Sequence, residues 1–117
     1  MNLNTTNIIG RVGRDPEWKD VGKGLCKFSV AVGKRYKKGD EWVEDTTWFD
    51  VAVWGEFGKR MMERLHKGML VYVAGPHESR KHEDKYYWTL TAQTVIPLEK
   101  REVPAAKVAD DDELPFS

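Results

Sequence analysis

Two tryptophans in one strand-like segment have the spacing in this sequence that best suits the binding of a ligand. The segment is WFDVAVW, residues 48–54. Successive side chains of a strand point to opposite faces of a sheet, so alternate residues share a face. One face is uniformly apolar, as a buried core requires, and consists of Phe49, Val51 and Val53. Trp48 and Trp54 then share the other face with Asp50, which indicates that two indoles face solvent.

Basic residues surround these tryptophans in the sequence. Flat aromatic surfaces flanked by cations suit an unpaired nucleic-acid strand, because its bases stack on the rings while Lys and Arg neutralise its phosphates. The candidate phosphate ligands are Lys27, Lys34, Arg35, Lys37, Lys38, Lys59 and Arg60. The alternative is that Trp48 and Trp54 pack under a loop or in a subunit interface.

Two further aromatic residues lie near the same basic stretch. Tyr36 is flanked by four cations in KRYKK, residues 34–38, and is either a base-stacking ring or a surface tyrosine that caps the sheet. Trp42 follows in the same predicted hairpin, where it is either a hairpin clamp or another base platform. The sequence leaves these alternatives open.

The sequence provides no spacing typical of an enzyme or a metal site. His77 and His82 do not form an HxxxH or HExxH pattern, and a single cysteine excludes CxxC. Cys26 falls on the inward parity of its strand, which predicts a buried structural thiol rather than a nucleophile. We therefore predict no catalytic residue, no metal and no cofactor, with a nuclease or deaminase as a rival class.

Length and composition limit the classes of protein further. A chain of 117 residues fits one domain with a modest core and excludes a large two-domain enzyme. Its one cysteine excludes an internal disulfide and predicts a reducing, cytoplasmic compartment. No apolar run approaches the about 20 residues that span a bilayer, and we expect no secretory signal.

The balance of 19 basic and 19 acidic residues hides a segregation of charge. Residues 1–100 carry 17 basic and 14 acidic groups, whereas residues 101–117 carry two basic and five acidic groups. A mildly basic body with an acidic end is typical of a polyanion-binding domain with a separately acting tail. The tip is either a solubilising segment or a docking peptide, in which acids steer and a phenylalanine anchors. The tip consists of Asp110, Asp111, Asp112, Glu113, Leu114, Pro115 and Phe116.

Hydrophobic periodicity predicts the elements that must position these residues. Phe57, Met61 and Leu65 at helical spacing predict a helix over residues 57–67, with Gly68 as its C-terminal cap. Period-two alternation and turn residues predict five strands, at residues 7–12, 25–32, 46–54, 69–74 and 86–96.

The connecting segments complete the predicted fold. Residues 34–45 are expected to form a hairpin tip, and residues 78–85 a charged loop or hairpin tip. Five strands with one helix between the third and the fourth predict an all-β, five-stranded Greek-key barrel of the OB type over residues 1–98. Residues 99–117 are predicted to be a disordered tail that carries the acidic tip.

Five segments, in this order, resemble those of bacterial and phage single-stranded DNA-binding proteins. They are GRVGRDPE at 10–17, KFSVAV at 27–32, TWFDVAVWG at 47–55, KGMLVYVAG at 67–75 and DDDELPF at 110–116. The resemblance covers essentially the whole chain. It implies an OB-fold that binds single-stranded DNA largely independently of sequence and protects it during replication, recombination and repair. The acidic tip would recruit replication and repair proteins.

The resemblance also assigns roles by position. Trp48, Trp54 and Tyr36 match base-stacking positions of the family. A fourth such position falls at His82, which stacks more weakly than an indole, so that Trp88 or a neighbouring tyrosine is the alternative. Further phosphate contacts are expected at Arg11, Arg80 and Lys81.

The family resemblance carries expectations about assembly and location. The family is usually a homotetramer, so we expect a homo-oligomer, with a dimer as the alternative. We expect the protein in the bacterial cytoplasm or nucleoid, with a phage-encoded protein as the alternative. The family's tip normally ends in phenylalanine, whereas Ser117 follows Phe116 here. The second function we consider is an OB-fold adaptor of the primosome type, whose tryptophans are interface packing.

Overall fold

The computed structural model describes residues 2–99, and the predicted acidic tip at residues 110–116 lies outside the described residues. No helix in this part of the chain is long and apolar enough to cross a membrane. In chain order the elements are β1 (Thr6–Val12), β2 (Glu17–Lys19), β3 (Leu25–Lys38), β4 (Glu41–Trp54), α1 (Gly55–Arg64), β5 (Leu70–Gly75), β6 (His77–His82), β7 (Lys85–Thr91) and β8 (Thr94–Pro97).

Five segments of the chain close into a barrel. β1 pairs with β3 and β5, and β3 pairs with β4, all antiparallel. The segment from β7 to β8 joins the two ends of this path, because β7 pairs in parallel with β4 and β8 pairs antiparallel with β5. Between them, the Ala92 amide donates to the carbonyl of Ala52 at 2.9 Å, and the Gln93 amide donates to that of Ala74 at 2.8 Å. The predicted Greek-key OB barrel is therefore confirmed.

Alternate residues of the barrel strands fill its interior. Cys26 is fully buried and Phe49 is partly buried, so the inward parity predicted for β3 and β4 is confirmed. Met61 and Leu65 of the α1 region join the same cluster. The strand residues that contribute to it include Ile8, Val12, Phe28, Val30, Val51, Val53, Val71, Val73, Leu90 and Val95.

β3 and β4 form a hairpin much longer than the barrel needs. Their ladder runs without a break from Leu25 opposite Trp54 to Lys38 opposite Glu41. The turn has two central residues, and the first of them, Gly39, has φ of +64°. A positive φ at that position alone is typical of a type II′ turn, which matches the twist of the strands. The segment predicted as a polar hairpin tip is therefore mostly paired strand.

Of the two alternatives predicted for residues 78–85, a charged loop or a hairpin tip, the structure has the hairpin, β6–β7. Residues His77–His82 pair with Lys85–Leu90, and the two central residues of the turn, Glu83 and Asp84, both have positive φ, as a type I′ turn requires. The fifth predicted strand is split into β7 and β8, because the chain passes from β4 to β5 at residues 92–93.

One local prediction is wrong, and one element was not predicted. The helix begins at Gly55 and ends at Arg64, because Leu65 already has extended backbone angles and is the C-cap in place of Gly68. The three-residue strand β2, which pairs with the start of β3, was not predicted. Its residues, Glu17–Lys19, are all exposed, so no apolar alternation indicates a strand there.

Candidate nucleic-acid interface

The residues of β3 and β4 that point away from the barrel interior form a continuous surface, which we call the outer face. Residues paired across an antiparallel ladder lie on the same side of the sheet. The pairs on the outer face are Lys27 with Ala52, Ser29 with Asp50, Ala31 with Trp48, Gly33 with Thr46, Arg35 with Glu44, and Lys37 with Trp42. With Trp54, which pairs with Leu25 on the same side, three indoles and three cations therefore share one surface.

Trp48 is the most open aromatic platform near the barrel. Its side chain is 60% exposed, whereas Phe49, the next residue on the inner parity, is half-buried. The indole lies against Gly13, at the end of β1. A Cβ built on Gly13 would lie 2.5 Å from Cζ3 of Trp48 and 3.2 Å from Cη2. The ring therefore occupies space that is free only because residue 13 is glycine.

Trp54 differs from the prediction in its degree of exposure. It lies at the last position of β4 and is half-buried rather than open. The loop before β3 covers part of the ring, since a Cβ built on Gly22 would lie 3.8 Å from Cζ3 of Trp54. Trp54 thus has the outward parity predicted for it but offers less free surface than Trp48.

The β3–β4 hairpin carries aromatic–cation pairs on both sides. Tyr36 pairs with Val43 on the side opposite to Trp48, is 40% exposed, and has the Nζ atom of Lys34 5.7 Å from its ring centre. On the outer face the guanidinium of Arg35 lies 5.0 Å from the ring centre of Trp42. Cations over rings are the arrangement expected where bases stack and phosphates pass close by.

The β6–β7 hairpin presents a second aromatic array. Trp88 is exposed, and its ring centre lies 5.0 Å from that of His77, which lies 5.8 Å from that of Phe49 at the barrel. His82 contacts Tyr87 with ring centres 6.5 Å apart. Register places His82, Arg80 and Tyr87 on one side of this hairpin, and the other side carries Trp88, Lys81 and Tyr86. His82 and Trp88, the two alternatives for the fourth stacking position, therefore point to opposite sides of the hairpin.

Not all predicted phosphate ligands join these surfaces. Arg11 is paired with Glu99 at 3.2 Å and donates to the carbonyl of Gly68 at 3.0 Å, which compensates its charge. Lys59 and Arg60 lie on α1, where the guanidinium of Arg60 is 5.7 Å from the ring centre of Phe57. Lys37 and Lys38 are exposed near the tip of the β3–β4 hairpin.

A cavity on the outer face was not predicted. It has a volume of about 200 Å³ and is lined by Lys27, Ser29 and Asp50 of the ladder together with Arg14 and Asp15 of the β1–β2 connection and Glu17 at the start of β2. The connection is held in place where the Lys67 amide donates to the Asp15 carboxylate at 2.9 Å. Sequence parity places Lys27 and Asp50 outward, but the contact with the connection depends on the tertiary fold.

The one cysteine of the chain lies in the barrel core rather than at the surface. Burial raises the pKa of the Cys26 thiol to about 11, so the thiol stays protonated near neutral pH and acts as a small apolar side chain. Among residues 2–99, no three His, Cys, Asp or Glu side chains come together to hold a metal ion. The surface instead offers rings, cations and hydrogen-bonding groups.

Comparison with known proteins gives a consistent result. Residues 3–98 match the model of the single-strand binding protein family. A single-stranded DNA-binding protein of Treponema pallidum is 38% identical over 86 residues, which are 72% of this chain but 49% of that protein. Single-stranded DNA-binding protein 1 of Synechocystis is 31% identical over 109 residues, covering 92% of this chain and 88% of that protein.

A solved structure agrees with the sequence matches. The Plasmodium falciparum SSB in complex with ssDNA superposes with a TM-score of 0.75 at 26% identity, covering 85% of this chain and 97% of that one. The chain spans about half the length of the Treponema relative and most of the Synechocystis one. The match of the family model to nearly all described residues shows that the chain belongs to the single-strand binding protein family.

Proposed function

We propose that this chain binds single-stranded DNA, largely independently of sequence, along the outer face and the two hairpins. The observation that carries the proposal is Trp48, a 60% exposed indole on a face that also carries Lys27 and Arg35. A base stacked on such a ring contributes about 1–3 kcal/mol, and every base has a π-face to offer. In this role the protein would cover exposed strands during replication, recombination and repair.

The test is equilibrium binding of labelled oligo-dT, followed by anisotropy at increasing salt concentration. The affinity should fall as salt rises, because each neutralised phosphate releases condensed counterions. The indole emission should be quenched as bases stack. An adaptor that uses its tryptophans for protein contacts would leave the emission nearly unchanged, and such a result would exclude base stacking.

The acidic tip is proposed to dock partner proteins. Three aspartates and a glutamate precede Leu114, Pro115 and Phe116, and an apolar end after an acidic run suits anchoring better than solubilising. Deleting residues 110–117 should abolish capture of replication and repair proteins and raise the affinity for DNA at low salt, since the acids compete for the basic surface. If neither property changes, the tip is a solubiliser.

The protein is further proposed to be a homo-oligomer that associates through the outer side of β1, β5 and β8. Ile9, Tyr72 and Ile96 lie side by side across these strands, and both isoleucines are about half exposed. An exposed apolar row of this kind favours burial against a second copy. Light scattering of Ile9→Glu should give a smaller particle than the unchanged protein. An unchanged mass would exclude this surface.

A non-enzymatic role in the cytoplasm completes the proposal. The thiol of Cys26 is buried, and the family takes its name from binding rather than from a reaction. Incubation of labelled single strands with the protein and divalent metal should leave them intact. Loss of the label would support a nuclease instead.

A further inference from the structure

The cavity on the outer face has a lining unlike the stacking surface next to it. Trp48 offers a ring, whereas the cavity offers the amine of Lys27, the hydroxyl of Ser29 and the carboxylate of Asp50. Its volume of about 200 Å³ is below the range of about 300–1,000 Å³ typical of small-molecule pockets. A cavity of this size suits one edge of a nucleobase rather than a whole nucleotide.

The cavity lies next to Trp48, at the following outward-facing residue of β4. Trp48 and Asp50 are alternate residues of β4 and therefore share the outer face, about 7 Å apart along the strand. Ser29 is paired directly opposite Asp50, and Lys27 is the next outward residue of β3. A base stacked on Trp48 would therefore have its edge within reach of these polar groups.

The polar groups of the cavity have no strong partners inside the protein. Among residues 2–99, no ion pair or side-chain hydrogen bond joins Lys27 or Asp50 to another residue. Both side chains are exposed. A carboxylate and an amine that are not used to hold the fold are free to bind a ligand.

Phosphate is a poor ligand for this position because three carboxylates, Asp15, Glu17 and Asp50, line the cavity against two cations, Arg14 and Lys27. Base edges with adjacent N–H donors are better ligands, since an ionised carboxylate accepts two parallel hydrogen bonds strongly. Guanine alone presents two such donors side by side, at N1 and at the 2-amino group. Cytosine and adenine present one amino donor beside a ring acceptor, and thymine presents one N–H between two carbonyls.

We propose that Asp50 binds the Watson–Crick edge of an unpaired guanine stacked on Trp48, with Lys27 donating to the O6 atom of that base. The proposal rests on the proposed single-stranded DNA binding and adds a base preference to it. Stacking remains tolerant of sequence at the other rings, so the preference applies to one nucleotide of the bound strand.

The experiment compares three oligonucleotides of about eight nucleotides, the size that one OB-fold covers. One is oligo-dT, one carries a single central deoxyguanosine, and one carries deoxyinosine, which lacks only the 2-amino group. The guanine oligonucleotide should bind about fivefold more tightly than the inosine one, at the weak end of bidentate base contacts. Equal affinities for the two would overturn the guanine site.

The matched variants are Asp50→Asn and Glu44→Gln. Each removes one negative charge from the outer face of β4, but Glu44 lies outside the cavity lining. Asp50→Asn should lose the preference for guanine over inosine, whereas Glu44→Gln should keep it. Retention of the preference in Asp50→Asn would also overturn the proposal. Binding of oligo-dT without a guanine preference would leave the proposed function intact, and failure to bind any of the three would contradict both.

Discussion

The two faces of the β3–β4 ladder make an instructive comparison. On the inner face Cys26, Val51 and Val53 are fully buried in the barrel core. On the outer face, one residue away in the same strands, Trp48 and Asp50 are open to solvent. A single ladder thus carries the residues that stabilise the fold and those that would bind the ligand, separated by the alternation of the strand.

This separation means that stability and binding should respond to different substitutions. A buried residue contributes through the area it removes from water and the cavity it fills. An exposed ring removes little area from water and fills no cavity. Its loss should therefore lower the affinity for the ligand without changing the free energy of unfolding. The following substitutions test whether the two faces act independently.

The largest effect should come from the inner face. Phe28→Ala empties a buried site and should lower the free energy of unfolding by about 3–5 kcal/mol. Urea denaturation measures the change, and the affinity of the folded fraction for oligo-dT should stay close to that of the unchanged protein. Should Phe28→Ala not fold, the smaller truncation Val51→Ala serves the same comparison. A loss of affinity in the folded variant would show that the two faces do not act independently.

The outer face should give the reverse pattern. Trp48→Ala should weaken binding of oligo-dT by about 1–3 kcal/mol and leave the free energy of unfolding nearly unchanged. The control is Trp18→Ala, since Trp18 pairs with Cys26 and so lies off the outer face. Equal losses of affinity in the two variants would show that indole content, not position, matters.

A smaller effect should appear in the pH dependence of stability, through Cys26 on the inner face. Burial raises the pKa of the Cys26 thiol from its ordinary value of 9.0 to about 11 in the folded protein, so the unfolded chain loses this proton first as the pH rises. Stability that is fully present below pH 9 should therefore fall between pH 9 and 11, by about 1.4 kcal/mol at pH 10. Urea titrations of the unchanged protein and Cys26→Ala measure the difference. Parallel pH profiles would contradict the role of burial.

The smallest effect should come from Gly13, against which the indole of Trp48 lies. Gly13→Ala places a methyl group where the indole of Trp48 lies, and should weaken oligo-dT binding about threefold by displacing the ring. Gly33→Ala is the matched control, because nothing lies within 4 Å of a Cβ at that position and its φ is not in the left-handed region. A binding loss in Gly33→Ala as large as in Gly13→Ala would exclude the steric explanation.

The alternation of β4 could be predicted from sequence because it is a local pattern. Phe49, Val51 and Val53 repeat every second residue, and this period is set by the strand itself. The order of strands and the position of the helix followed from the same signal together with the turn residues. Five strands with one helix between the third and the fourth then indicated the OB topology, and the resemblance of five segments to one family agreed with it.

The remaining features depend on contacts between distant parts of the chain. The half-burial of Trp54 requires the loop containing Gly22 to fold over it, and Gly13 meets Trp48 only because β1 ends beside the ladder. The strand β6 extends beyond the core and its residues, HESRKH, are polar on both sides, so no apolar alternation marks it. The ion pair of Arg11 with Glu99 likewise joins β1 to the last described residue.

The most direct test of base stacking at Trp48 is the change in indole emission of Trp48→Phe when oligo-dT is added. Phenylalanine keeps a ring on which a base can stack but removes this one indole of the five in the chain. We predict that the variant binds oligo-dT with nearly unchanged affinity while much of the quenching is lost. Quenching as strong as in the unchanged protein would contradict stacking on Trp48.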